Sequence, residues 1–436
     1  MTEIARFQGV IGVLVLIGLA VLLSNNRRKI DWKLVSWGLG IQLLLALAIL
    51  RTSAGHRSFD WANDVVQQLL GFSKKGADFL FATFGASSLS ETPLNNFAFG
   101  VLPTVIFFSA LLSVLYHLGV MQFVVKIIAW TMQKTMGTSG AETLSVAGNI
   151  FVGQTEAPLL VRPFLNKMTR SELMTVMVGG FATIAGGVLA IYVGYLREVP
   201  GIAGHLIAAS LMSAPAGLLM SKILYPETEV SATAGSLHLH TDQRASNLLE
   251  AFGDGAIDGL KLALNIAAML IAFIAATAML NHLLGLFPSV SGEPLSLQRL
   301  LGWVFRPLAW TLGASWDESA TLGSLLGQKI VLTELIAYQE LGRLIPQQTL
   351  SPRTTIIASY ALCGFANFAS IGIQLGGIGA VAPDRKRDLA SIALKAMIGG
   401  ALASWMTASI AGILIDDLPI PTNPVPTTID TPADNS

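Results

Sequence analysis

Residues 142–168 read ETLSVAGNIFVGQTEAPLLVRPFLNKM, a stretch apolar enough for membrane depth yet interrupted near its middle by Gly153, Gln154 and Glu156. A second stretch, residues 313–345, has the same character, with Gly323, then Gly327-Gln328, then Glu334. Irregular backbone survives in a bilayer only where it is buried in protein or lines a wet cavity. Both stretches are therefore expected to form re-entrant hairpins rather than plain spans. Each is followed by a span carrying nearly the same tetrapeptide, Gly180-Phe181-Ala182-Thr183 in one and Gly364-Phe365-Ala366-Asn367 in the other. The order hairpin, span, span thus occurs twice. A single span between the two units starts the second from the opposite side, which makes the repeat inverted.

The rest of the chain fits a membrane. Of 436 residues, 53% are hydrophobic and only 12% charged, about half the charged fraction of a soluble domain. Zero net charge leaves no electrostatic footprint for nucleic acid. The lone Cys363 excludes an intramolecular disulfide and a thiolate metal site, while His238 and His240 fall in a polar linker. No GxSxG, Walker sequence, HExxH or Cys/His cluster points to an enzyme.

Apolar runs near 8–24, 34–50, 100–125, 172–195, 203–221, 258–287, 355–381 and 388–415 are each long enough to cross about 30 Å of hydrocarbon. The first is a span rather than a signal peptide, because Arg27, Arg28 and Lys29 follow the apolar run instead of preceding it. The positive-inside rule puts that cluster in the cytoplasm, and alternation then puts Lys126, Lys134, Lys222, Arg385, Lys386 and Arg387 there too. Both termini fall outside, as does the tail 417–436, which has no basic residue. Residues 58–83 alternate at helical spacing with charges and suit an interfacial amphipathic helix, and 226–250 reads as a cytoplasmic linker. The predicted fold is an all-α integral membrane protein with eight transmembrane helices and two re-entrant hairpins.

Glu156 and Glu334 sit in apolar surroundings, where a carboxylate costs a few kcal/mol and signals function unless it caps a broken helix. Gln154 and Thr155 add donors and acceptors, and Asn367 and Ser370, three apart, share one helical face. With no Arg or Lys alongside, this set suits an uncharged polar ligand better than a phosphate. Asn149 and Thr183 offer neutral oxygens for a cation such as sodium, although a proton could couple through a carboxylate instead. The ligand-site proposal requires Gln154, Glu156, Glu334 and Asn367 to meet inside the bilayer.

Five stretches resemble the concentrative nucleoside transporter family: 97–122 (FAFGVLPTVIFFSALLSVLYHLGVMQ), 148–163 (GNIFVGQTEAPLLVRP), 213–229 (SAPAGLLMSKILYPETE), 255–273 (GAIDGLKLALNIAAMLIAF) and 361–379 (ALCGFANFASIGIQLGGIG). The resemblance implies a bacterial inner-membrane homotrimer that imports nucleosides with a cation, sodium favoured and protons open, by an elevator motion. A transport domain would ride on a scaffold. The corresponding divisions are 1–140 scaffold, 141–224 first transport repeat, 225–250 linker, 251–300 scaffold span, 301–416 second transport repeat and 417–436 periplasmic tail. By the same resemblance, Gln154, Thr155 and Glu156 would bind the nucleobase, Glu334, Asn367 and Ser370 the ribose, and Phe365 would lie beside the nucleoside. Asn149 and Thr183 side chains with the Val152 and Ile184 carbonyls would hold sodium. One departure stands out: Thr333 replaces an Asn that the family often has before the ribose-binding Glu. From the chain's length, the extra N-terminal spans of larger animal relatives are not expected here. A free base, another polyhydroxylated solute, an intramembrane enzyme or a passive channel are the competing expectations.

Overall fold

The computed structural model describes residues 2–85, 102–233, 245–290 and 292–415. His238, His240, the tail 417–436 and residues 97–101 of the first family-like stretch lie outside them. Among the described residues the fold is helical, and the sole extended pairing is an isolated bridge between Val290 and Glu293.

The first part runs through α1 (Thr2–Leu22), α2 (Trp32–Arg51), α3 (Ser53–Gly85), α4 (Leu102–His117) and α5 (Val120–Met136). Asp31 starts α2 by accepting from the Lys33 and Leu34 amides at 2.9 and 3.2 Å, which satisfies two of the amides a helix start leaves free. The amphipathic segment is a helix, as its pattern predicts. It is anchored on α9 (Ile202–Leu224) where the Phe59 ring meets the His205 ring edge-on at 4.6 Å. The run expected as one span over 100–125 is two helices bent by 76°. Gly119, at φ +77°, ends α4 in the left-handed region, and α5 leaves in a new direction.

The next elements come in two matching series. The first is α6 (Gly140–Gly148), a 3-10 helix over Ala157–Lys167, α7 (Arg170–Ala182), α8 (Gly186–Tyr195) and α9. Then come α10 (Leu248–Leu284) and α11 (Leu297–Thr311). The second series is α12 (Ser319–Val331), α13 (Glu334–Leu344), α14 (Pro352–Leu362), α15 (Phe368–Val381) and α16 (Lys386–Leu414). Element for element, each series is a helical pair, a helix broken in the middle and one long helix.

Two of the expected spans carry a break in the middle. The run 172–195 breaks at Thr183–Ala185, where Thr183 is extended at φ −118° and ψ 172°. The run 355–381 breaks over Cys363–Asn367, with Gly364 at φ +125°. A Cβ on Gly364 would stand 2.7 Å from the Phe181 carbonyl and 2.8 Å from that of Ala182, so the second break lies against the end of α7. Only glycine combines that φ with that approach. Among the described residues, five helices are long and apolar enough to cross a membrane, with the broken α7–α8 run counted as one, or six counting the bent α4–α5 pair; α1 and α15 are shorter apolar helices.

α9 and α16 form the buried centre, in contact with each other and with α1, α2, α7 and α14. α10 is the opposite case. It turns Leu264, Ile271 and Met279 outward, each more than 60% exposed, as lipid-facing side chains would be. Its buried stripe is Ala251, Gly255, Gly259 and Ala263, small residues every four that let the backbone of α4 come close. A Cβ on Gly259 would sit 2.7 Å from the Ile106 Cα. α11, which hydropathy alone does not single out, packs along α12.

Candidate functional site

The two helix breaks and the turn after α6 meet, and their polar side chains form a continuous buried chain. Asn367 is the N-cap of α15: its Oδ1 accepts from the Ser370 amide at 2.8 Å, and its Nδ2 donates to Glu334 Oε2 at 2.7 Å. Tyr192 of α8 donates its hydroxyl to Glu334 Oε1 at 3.0 Å. Gln154, in the turn after α6, donates through Nε2 to Ser370 Oγ at 3.1 Å. Gln374, one turn beyond Ser370, donates to Gln154 Oε1 at 3.0 Å and to the Met177 carbonyl of α7 at 3.1 Å. Residues 216 apart in sequence are joined directly.

Gln154, Glu334, Asn367 and Ser370 are all buried here. Glu334 is held by two donors, yet each carboxylate oxygen keeps a lone pair for a further one. Thr155 packs against α15, where a Cβ on Gly377 would meet its Cγ2 at 2.4 Å. Glu156 shares this turn but is exposed, its carboxylate folded back over Gly153 and outside the hydrogen-bond chain. Phe365 lies in the second break, half-buried, with its carbonyl accepting from the Asn367 amide at 2.9 Å.

The cation candidates sit beside this chain. Asn149 ends α6, and its Nδ2 is spent on the Ser145 carbonyl at 3.1 Å, which leaves Oδ1 buried without a partner. Such an orphan oxygen needs an explanation, and a bound cation is one. Thr183, also buried, donates its hydroxyl to the Gly179 carbonyl at 2.9 Å, so its oxygen lone pairs face outward from that bond. The Gly186 amide donates to the Phe151 carbonyl at 2.9 Å. That bond pins the turn holding Val152 to the break holding Thr183 and Ile184. Neutral oxygens of this kind suit sodium, and the donor set fits that ion as cargo.

The tertiary structure adds three features to the sequence reading. Thr333 is the N-cap of α13, its hydroxyl accepting from the Ile336 amide at 3.4 Å, so the departure from the family's Asn keeps a capping group. Tyr192 stacks on Tyr338 at 4.1 Å, and Tyr338 donates to the Ser359 carbonyl at 2.6 Å, bracing the carboxylate from behind. A buried cation also lies near the site: Lys329 is fully buried on α12, five residues before Glu334. Its ammonium is occupied, donating to the Ala361 carbonyl at 2.9 Å and Ser404 Oγ at 2.7 Å. It satisfies the open end of α14 rather than offering a charge to a ligand. Lone polar residues inside apolar runs, such as Gln374 and Tyr192, were the signal available for the others.

A helical chain with long apolar outer faces and a neutral-to-acidic polar centre at two helix breaks defines an integral membrane protein built to hold a small ligand. Comparison with known proteins narrows this: residues 11–84 and 205–412 match the models for the N-terminus and C-terminus of Na+ dependent nucleoside transporters, and 98–198 match a nucleoside recognition model. An uncharacterized transporter of Haemophilus influenzae is 44% identical over 94% of this chain and 97% of its own length. Sodium/nucleoside cotransporter 1 of Rattus norvegicus is 45% identical over 94% of this chain, which spans 64% of that protein's length. A structure of CNTnw in an inward-facing substrate-bound state aligns with a TM-score of 0.86 at 42% identity, covering 94% of this chain and 98% of the other. The chain belongs to the Na+ dependent nucleoside transporter family.

Proposed function

We propose that this chain is a secondary active transporter that imports nucleosides with sodium by alternating access. The observation that carries the proposal is the buried chain Gln154–Ser370–Asn367–Glu334, which joins the two repeats around one neutral-to-acidic centre. Glu334 and Asn367 offer paired acceptor and donor atoms to vicinal hydroxyls, as a ribose presents. Gln154, Thr155 and Glu156 face the flat base, and Phe365 covers it. Sodium enters at Asn149 and Thr183, with the Val152 and Ile184 carbonyls completing the set. Its arrival orders the turn after α6, of which Gln154 is part, and so prepares the base site.

In this proposal the two helical pairs are re-entrant hairpins, the repeat is inverted, and eight helices span a cell inner membrane with both termini periplasmic. Each subunit of a homotrimer moves its loaded domain as an elevator against a scaffold built from the early helices and α10. Coupling requires that the domain carrying only the ion cross poorly, because a ligand shifts a two-state balance only through differential affinity. The family names and the outward-facing and inward-facing structures of CNTnw support alternating access.

The test is uptake of labelled uridine into proteoliposomes under an imposed sodium or proton gradient. Accumulation above equilibrium with sodium is expected. A proton gradient driving it instead would replace the coupling ion, and neither driving it, together with no nucleoside binding, would refute the proposal.

A further inference from the structure

Gln374 stands behind the base site and is fully buried. Its Nε2 faces the Met177 carbonyl at 3.1 Å, and since a backbone carbonyl only accepts, the amide group there must be the nitrogen. The second hydrogen of that nitrogen goes to Gln154 at 3.0 Å, so the Gln154 atom turned toward it must be the oxygen. Gln154 Nε2 then points the other way, to Ser370 Oγ at 3.1 Å. A peptide carbonyl of α7 thereby dictates, through Gln374, which way round the Gln154 amide stands. Gln154 keeps one N–H for a ligand, and Ser370 Oγ, having accepted, keeps its own proton to donate.

Gln374 also keeps its own oxygen buried and unpartnered. An apolar side chain of similar length would fill the space without that cost, so the amide is retained for its nitrogen. Gly180 of α7 makes the room: a Cβ there would stand 2.7 Å from Gln374 Nε2 and 2.8 Å from Gln154 Cβ.

We propose that Gln374 is a positioning residue that locks the Gln154 amide with its N–H toward the ligand, so that the site selects bases whose edge presents a hydrogen-bond acceptor. The inference rests on the nucleoside-transport proposal above. Gln374 acts through Gln154 and touches no ligand itself.

The experiment compares apparent affinities of purified protein in proteoliposomes for uridine and for a phenyl riboside, which keeps the sugar and a flat ring but has no acceptor. Uridine against 2′-deoxyuridine serves as the sugar control. Wild type should favour uridine over the phenyl riboside, and Gln374→Met should shrink that preference about 5- to 10-fold, the worth of one freed hydrogen bond. The sugar ratio should stay within about twofold, whereas loss of packing would move both ratios together. In a Gln154→Ala background Gln374→Met should have no further effect on the base ratio. An unchanged base ratio, equal shifts in both ratios, or an effect that persists without Gln154 overturns the proposal. So does wild-type protein indifferent to the acceptor, a result that needs no variant to fold. If wild type neither binds nor accumulates uridine, the functional proposal fails first. If it does both and the cycle is additive, this inference alone fails.

Discussion

Asn367 performs two tasks that substitution can separate. Its Oδ1 caps α15 through the Ser370 amide at 2.8 Å, and its Nδ2 holds Glu334 at 2.7 Å. Serine is as good an N-cap as asparagine but too short to reach the carboxylate, so Asn367→Ser should spare the helix and release Glu334. Asn367→Ala should lose both. A hydrogen bond to a charged group is worth about 1.5–3 kcal/mol, which corresponds to about a 10- to 150-fold loss of nucleoside affinity for either variant. The cap adds about 1 kcal/mol, so Asn367→Ala should be less stable than Asn367→Ser by that amount while binding equally weakly. Titration calorimetry in detergent gives the affinity, and thermal unfolding with and without uridine gives the stability. Wild-type affinity in Asn367→Ser would show that the Asn367–Glu334 bond does not organise the ligand site. Equal stability of the two variants would refute the capping role.

Asn149→Ala removes the orphan Oδ1, and the sodium concentration for half-maximal uptake should rise about tenfold or more; an unchanged sodium response would move the ion elsewhere. Lys222 is a second, structural cation, buried against Glu142 at 2.7 Å and near Glu227 at 3.5 Å. Lys222→Met alone should destabilise by about 3–5 kcal/mol, and Lys222→Met with Glu142→Met should recover most of that, read as the melting temperature in detergent. Gly259→Leu should push α10 off α4, since even a Cβ there would lie 2.7 Å from the Ile106 Cα; retention of the wild-type melting temperature would contradict the packing.

The sequence by itself determined the membrane character, the helical class and the paired, interrupted segments, because hydropathy and charge act along the chain and each residue reports them alone. It also pointed to Gln154, Glu334, Asn367 and Ser370, since a polar group in an apolar run is costly wherever the chain goes. Family-like stretches carried the roles that spacing could not. The breaks at Thr183–Ala185 and Cys363–Asn367 were invisible as breaks, although their tetrapeptides stood out. An apolar segment can be helical or unwound with the same hydropathy, and only the neighbour it meets, here α7 against Gly364, decides which. The orientation of the Gln154 amide, the bracing of Glu334 by Tyr192 and the occupied ammonium of Lys329 also belonged to the tertiary structure alone. Each depends on a partner at least 32 residues away in the chain. A hydrogen bond is fixed by distance and direction in space, which no order of residues records.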